Sequence, residues 1–279
     1  MFSPSSLIFL FFLSLTVLGL EDTRENPVDV LQVTHPIIRT YKGPWGIDTL
    51  KLFHNIEYLQ LRRNNFTIFQ WNFLNTIPNL KSLELFNNFM ERVDFNITQC
   101  CNKLEILELT ESGLPEIPDE FLKKIGGIES LKYLTFRDEK MRILRKDTLA
   151  NPNLGYLTIL ACHLDTIDDG AFSKLQKLRI LDLSYNSIRA INKDTFASLQ
   201  NVKMINLKGN FLETLTTDMI SALPNLETLV LSHNLIMKFD LEGIKTVAPK
   251  LRTIDVRGMV LFEPKTGGVE LLKDPFAKF

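Results

Sequence analysis

The chain has 279 residues, 45% of them hydrophobic, and a formal net charge of −1. That apolar content is ample for a folded core, so a disordered chain is excluded. The near-balanced charge gives no electrostatic reason to expect nucleic acid or an anionic membrane surface as partner.

Residues 7–18 are an unbroken run of apolar and hydroxyl side chains, too short to span a bilayer. With the small Val17 and Gly19 at its end, the segment 1–19 reads as a signal peptide, although only the α-amino group supplies positive charge. The mature chain is expected to start at Leu20 or Glu21. No later stretch is long and apolar enough to cross a membrane. The tail carries Lys265, Glu270, Lys273, Asp274 and Lys278, which is not a lipid-anchor composition. The expectation is a secreted, extracellular protein with no membrane span.

Residues 20–55 are expected to form an N-terminal cap or a degenerate first repeat. Val28, Leu31, Val33 and Ile38 follow the apolar spacing of the later repeats, with Pro36 where Asn stands elsewhere. Pro36, Gly43, Pro44 and Gly46 favour loops within the segment.

From Ile56 onward one unit recurs. Residues 178–186, LRILDLSYN, show it best: apolar at the first, fourth and sixth positions, Asn186 at the ninth, then Ile188 at the eleventh. The first positions are Ile56, Leu80, Leu104, Leu131, Leu154, Leu178, Val202, Leu226 and Leu251, separated by 24, 24, 27, 23, 24, 24, 24 and 25 residues. Nine copies at one period indicate a solenoid and not a set of separate domains. The spacing predicts a short strand with its fourth and sixth side chains in the core, then an inward turn. An amide at the ninth position can there satisfy backbone groups that the turn leaves without partners. Asn64, Asn88, Asn186, Asn210 and Asn234 occupy it, and Ser112, Glu139, Cys162 and Met259 replace it. The irregular 27-residue interval leads to the expectation of a distorted turn at Glu139. Position fourteen (Phe69, Ile117, Leu144, Leu215) and position nineteen (Phe172, Phe196, Ile220, Ile244) supply a second apolar layer.

This pattern resembles the leucine-rich repeat superfamily, of the 24-residue extracellular type that includes Toll-like receptor ectodomains and small leucine-rich matrix proteins. The resemblance covers about residues 56–261. It implies an α/β solenoid: a horseshoe with a parallel concave sheet, about nine repeats and terminal caps. Members of this type commonly carry cysteine-rich caps at both ends, and none is visible here. The tail 262–279, with Leu271, Leu272, Phe276 and Phe279, is expected to cap the last turn instead.

Three cysteines are an odd number for a secreted chain. Cys162, at a ninth position, and Cys101, where other copies carry Ile or Leu, are expected in the core. Their copies lie more than two strands apart, over roughly 10 Å, so a bridge between them is not expected. Cys100 is the extra thiol: reactive, paired with Cys101, or paired with another chain, which leaves monomer and homodimer both open. Asn65-Phe66-Thr67 and Asn96-Ile97-Thr98 fit the glycosylation pattern, so Asn65 and Asn96 are expected to be modified.

Function must lie in residues that the core does not need. Positions three, five, seven and eight face the concave surface or its rim. Tyr133, Tyr156, Leu160, Ile180, Tyr185 and Met204 make the middle of that face unusually apolar, and such patches tend to mark protein contacts. The alternative is that third-position side chains merely pack along the sheet. No catalytic constellation is present: Ser184 and His233 fall two strands apart, and no His/Cys/Asp cluster has metal-ligand spacing. No enzyme, cofactor or metal is expected. The expected function is a secreted repeat protein that binds a protein or glycoconjugate partner on its concave face. By resemblance, this would be in innate immunity or extracellular signalling. A structural or non-catalytic accessory subunit of a secreted or matrix complex is the alternative.

Overall fold

The fold of each copy follows from alternation. A strand sends successive side chains to opposite faces, so apolar residues at positions four and six go inward together while three, five and seven go out. The computed structural model describes residues 20–21, 37–39, 42–45, 55–94, 101–237, 239–259 and 270–272. The signal segment 1–19, most of the cap 20–55, Asn96, Cys100 and most of the tail 262–279 lie outside the described residues. The chain divides into two units, 1–115 and 116–279.

The first unit contains β1 (Leu20–Glu21), β2 (Ile37–Arg39), β3 (Lys42–Trp45), β4 (Tyr58–Arg62), β5 (Asn65–Gln70), β6 (Ser82–Phe86), β7 (Phe89–Met90), β8 (Val93–Asp94) and β9 (Ile106–Thr110). One sheet runs in the order β1-β2-β4-β6-β9, parallel from β2 onward, with β1 antiparallel at its edge. A second sheet sets β5 between β3 and the pair β7 and β8. Phe66, Phe69, Trp71 and Phe73 are fully buried behind it, with ring centroids of Phe69 5.2 Å from Trp71 and 5.5 Å from Phe73.

The second unit contains α1 (Asp119–Gly126), β10 (Tyr133–Arg137), β11 (Ile143–Leu144), β12 (Tyr156–Leu160), β13 (Thr166–Ile167), β14 (Ile180–Asp182), β15 (Met204–Asn206), β16 (Thr228–Val230), α2 (Leu241–Val247), β17 (Thr253–Asp255) and β18 (Glu270–Leu272). Its main sheet is wholly parallel, in the order β10-β12-β14-β15-β16-β17-β18. Fourth positions align across it: Leu134, Leu157, Leu181, Ile205, Leu229 and Ile254 are register partners in turn, and all are buried.

The ninth position works as a hydrogen-bond ladder. Asn186 Nδ2 donates to the Ile159 carbonyl of the preceding copy, and its Oδ1 accepts from the N–H groups of Cys162 at 2.9 Å and Leu164 at 3.0 Å. Asn210 repeats this on Leu183 and Ile188, and Asn234 on Leu207 and Leu212. In the first unit Asn64 donates to Ile38 and Asn88 to Leu61. Each buried amide supplies the partners that the turn would otherwise lack.

Two features differ from the sequence reading, and a third adds to it. Ile38 pairs with Leu61, a sixth position, so residues 37–39 form a rung whose frame is shifted by five from the spacing that placed Ile38 eleventh. Glu139 is buried and the preceding Asp138 has φ 53°, within the range of the other turns, so the backbone there keeps the common turn. The 27-residue interval instead contains α1, whose acidic Asp119 and Glu120 and basic Lys123 and Lys124 suit the helix dipole at the two ends. Finally, residues 270–272 add to the sheet edge as a strand, with Glu270 opposite Thr253.

Every copy also carries a left-handed residue at position eight: Arg63, Asn87, Glu111, Asp138, Ala161, Tyr185, Gly209, His233 and Gly258 all have φ between 48° and 70°. The strand can turn inward so tightly only by crossing that region, which is costly for L side chains.

Candidate functional site

The outward face of the second unit's sheet starts with position three. Tyr133, Tyr156, Ile180 and Met204 are register partners on four consecutive strands. The two tyrosine rings stack, with centroids 4.5 Å apart and planes 15° from parallel. Tyr133 is 40% exposed, and Tyr156, Ile180 and Met204 are half-buried. Leu160 lies at the seventh position of β12, opposite Arg137, with its side chain on the same face. The structure therefore brings five of the six residues read as a ligand patch onto one face.

The sixth, Tyr185, stands apart on the rim. Its φ is 56° and its side chain is 52% exposed. Its ring lies over Gly209 of the next copy: a Cβ there would come within 2.7 Å of Cδ1. Lys208 Nζ sits 5.2 Å from the ring centroid, a cation–π arrangement. Gly209, itself at φ 67°, thus answers two demands at once, the left-handed turn and the seat for the ring.

Below the apolar row runs a polar one whose groups satisfy each other. Asp182 Oδ1 accepts from the backbone N–H of Ser184 at 2.9 Å and from its hydroxyl at 2.6 Å, while Asn206 Nδ2 donates to Asp182 Oδ2 at 2.9 Å. Asn206 Oδ1 accepts from the Lys208 N–H, and Asp255 Oδ1 from the Arg257 N–H. These fifth-position side chains close the strand end in Asx turns. The strands β14, β15 and β17 stop at position five, as does β16 with Val230 there, whereas β10 and β12, with Thr135 and Thr158, run to position seven. Asp255 is buried with a 2.7 Å ion pair to Arg257. Burial would raise its pKa, but the hydrogen bonds and charge of Arg257 outweigh that and hold it below the usual carboxylate range.

Cys162 replaces Asn at its ninth position and is a fully buried free thiol, 3.2 Å from the Leu160 carbonyl to which it donates. Burial pushes its pKa up to about 12, with the backbone N–H of Glu139 opposing and the charges of Glu139 and Asp138 reinforcing. Such a thiol stays protonated and inert. Cys101 is also buried. Asn65 and Thr67 are both exposed on β5.

Residues 49–179 match the family described as BspA type Leucine rich repeat region, and residues 152–212 and 186–236 match the family described as Leucine rich repeat. The chain is a leucine-rich repeat protein. Over 85 residues, 30% of its length, it is 35% identical to a probable glycoprotein hormone G-protein coupled receptor of Anthopleura elegantissima. The chain matches 9% of that relative's length. Leucine-rich repeats generally mediate protein binding and are typically non-enzymatic scaffolds. Among the described residues no helix is long and apolar enough to cross a membrane.

Two features escaped the reading of this leucine-rich repeat sequence. The Asx turns at Asp182, Asn206 and Asp255 were legible as Asp or Asn at position five. The left-handed eighth position was signalled by Asn87, Asp138, Gly209 and Gly258, residue types that tolerate that region.

Proposed function

We propose that this leucine-rich repeat protein is secreted and holds a protein partner on the strand face of its second unit, in extracellular signalling or innate immunity. The contact centres on Tyr133, Tyr156, Ile180 and Met204, with Leu160 beside them. The observation that carries the reading is this row itself: four register-matched side chains make a continuous, partly exposed apolar strip. The neighbouring polar row is already satisfied internally, so the apolar strip has most to gain from a partner. Tyrosines of this kind are frequent binding anchors because they bury large area at low entropic cost. The similarity to a probable hormone receptor supports a polypeptide ligand, and a glycoconjugate would occupy the same face.

The test uses the chain immobilised against the source's extracellular fluid, with co-purified partners identified by mass spectrometry and their affinity then measured. Tyr133→Ala with Tyr156→Ala should weaken binding by about 30-fold or more while the thermal midpoint stays near that of the parent. Undiminished binding by a folded double variant would refute the site. Loss of folding would show that the tyrosines serve the sheet instead.

A further inference from the structure

In the first unit the tenth position forms a row of its own on the second sheet. Asn65 on β5 is the register partner of Phe89 on β7, and Phe66 pairs with Met90. Register partners in a parallel pair point to the same side, about 4.8 Å apart. Here the inner members, Phe66 and Met90, are buried, while Asn65, Thr67 and Phe89 face out. Phe89 is 56% exposed, the largest exposure among the exposed large hydrophobic residues of the described chain. On its far side stands Gly113, which brings no side chain against the ring and whose missing Cβ would lie 2.8 Å from Phe89 Cα. An open phenyl ring thus stands one strand from the asparagine of an Asn-Phe-Thr sequon.

We propose that Asn65 carries an N-linked glycan whose first sugar lies against the Phe89 ring, so that the glycan covers this exposed aromatic. The assignment rests on the extracellular reading above, since the modification needs the secretory route. The donor is a lipid-pyrophosphate-linked oligosaccharide. The Asn65 amide nitrogen bonds to the anomeric carbon, the bond from that carbon to the pyrophosphate oxygen breaks, and one amide proton is lost to a base. Neither partner is oxidised or reduced. Thr67, two residues on and on the same outward side, supplies the hydroxyl that completes the sequon. The apolar C–H face of an N-acetylglucosamine then meets the ring, removing apolar surface from water. Asn65 thereby gains a purpose that sequon matching alone does not give it: it screens a hydrophobic side chain that the fold leaves open.

The experiment uses the full chain secreted from eukaryotic cells behind an unrelated signal sequence, in an Asn96→Gln background. Peptide mapping should find Asn65 occupied. Phe89→Ala should then lower the thermal midpoint of the glycosylated chain by roughly 2–4 °C and leave that of the Asn65→Gln chain nearly unchanged. Thr67→Ala, which abolishes the sequon and keeps Asn65, should behave as Asn65→Gln does. An unoccupied Asn65 in a folded, secreted chain overturns the proposal. So does an equal effect of Phe89→Ala with and without the glycan. Because the signal sequence is unrelated, failure of the chain's own N-terminal residues to direct secretion, measured separately, would count against the extracellular reading alone.

Discussion

The two units share a frame and differ in what they show on their strand faces. In the first unit, positions three, five and seven of β4, β6 and β9 carry Tyr58, Gln60, Arg62, Ser82, Glu84, Phe86, Ile106, Glu108 and Thr110. These groups engage each other: Gln60 Nε2 donates to Glu84, the Arg62 guanidinium lies 4.9 Å over the Phe86 ring, and Thr110 bonds Glu108. In the second unit the equivalent row is apolar and continuous from Tyr133 to Met204. The strands of both units carry the same inward apolar positions, because each core accepts apolar side chains of the right size there. The outward residues differ between units, and the proposed partner contact on the second unit rests on that difference.

Changes to the shared frame should have the largest effect and should not discriminate between units. Asn210→Ala leaves the Ile188 N–H without its partner and takes one of two amide donors from the Leu183 and Leu207 carbonyls, beside a new cavity in the core. About 3 kcal/mol of stability should be lost in urea unfolding, and Asn64→Ala in the first unit should show a loss of the same order. A negligible loss at both would break the idea of a common ladder. The faces should then separate. Tyr133→Ala should cost binding with little change in stability, whereas Tyr58→Ala, also at position three, should leave binding unchanged in the same titration. An equal loss at both would erase the contrast.

The rim should respond more modestly. Gly209→Ala places a Cβ against the Tyr185 ring at a left-handed φ, so about 1–2 kcal/mol should be lost. The fluorescence or NMR signals of Tyr185 should shift as its ring is displaced. Arg257→Ala should cost about 1 kcal/mol at neutral pH. The folded Asp255 pKa lies below its unfolded value, so its contribution is present above the unfolded carboxylate range and is lost as pH falls through the folded value. The parent and the variant should therefore converge in acid denaturation curves.

The smallest effect under ordinary conditions concerns Cys162. Both states hold the thiol proton below the ordinary value of 9.0, so no dependence on this group appears there. Between that value and about 12 the unfolded chain releases a proton that the native chain keeps, and native stability falls. Cys162→Ala should flatten that alkaline decline. A thiol reagent at pH 8 should leave Cys162 unmodified until the chain is unfolded; rapid native labelling would show that it is not buried.

Much of the fold was legible because a repeat states its rule many times. Any one copy is ambiguous, but nine apolar triplets at a period near 24 admit a single register. The positions that broke the rule were harder. Glu139 looked like a defect in the turn, yet the turn accepts it and the extra residues are taken up by α1. Ile38 was placed in the wrong frame because Val28, Leu31 and Val33 imitate the spacing, and only strand pairing with Leu61 fixes it. Of the candidate site, the outward parity of Tyr133, Tyr156, Leu160, Ile180 and Met204 follows from counting along each strand. Tyr185 could not be placed by counting, because a left-handed residue leaves the strand's alternation and its side chain follows the turn onto Gly209.

The sequence by itself determined which residues are inside, the period, and the parallel order of the rungs, since hydrophobic spacing and chain connectivity leave no other solution. It also determined that position nine needs a buried amide wherever it can have one. Only the tertiary structure decided which outward groups already engage each other, as Asp182 does with Ser184 and Asn206 and Tyr133 with Tyr156, and which stand open, as Phe89 does. The physical reason is that neighbours on these faces are about 24 residues apart in sequence. Whether an exposed side chain has a partner depends on its neighbours across the sheet, and pairing alone settles which those are.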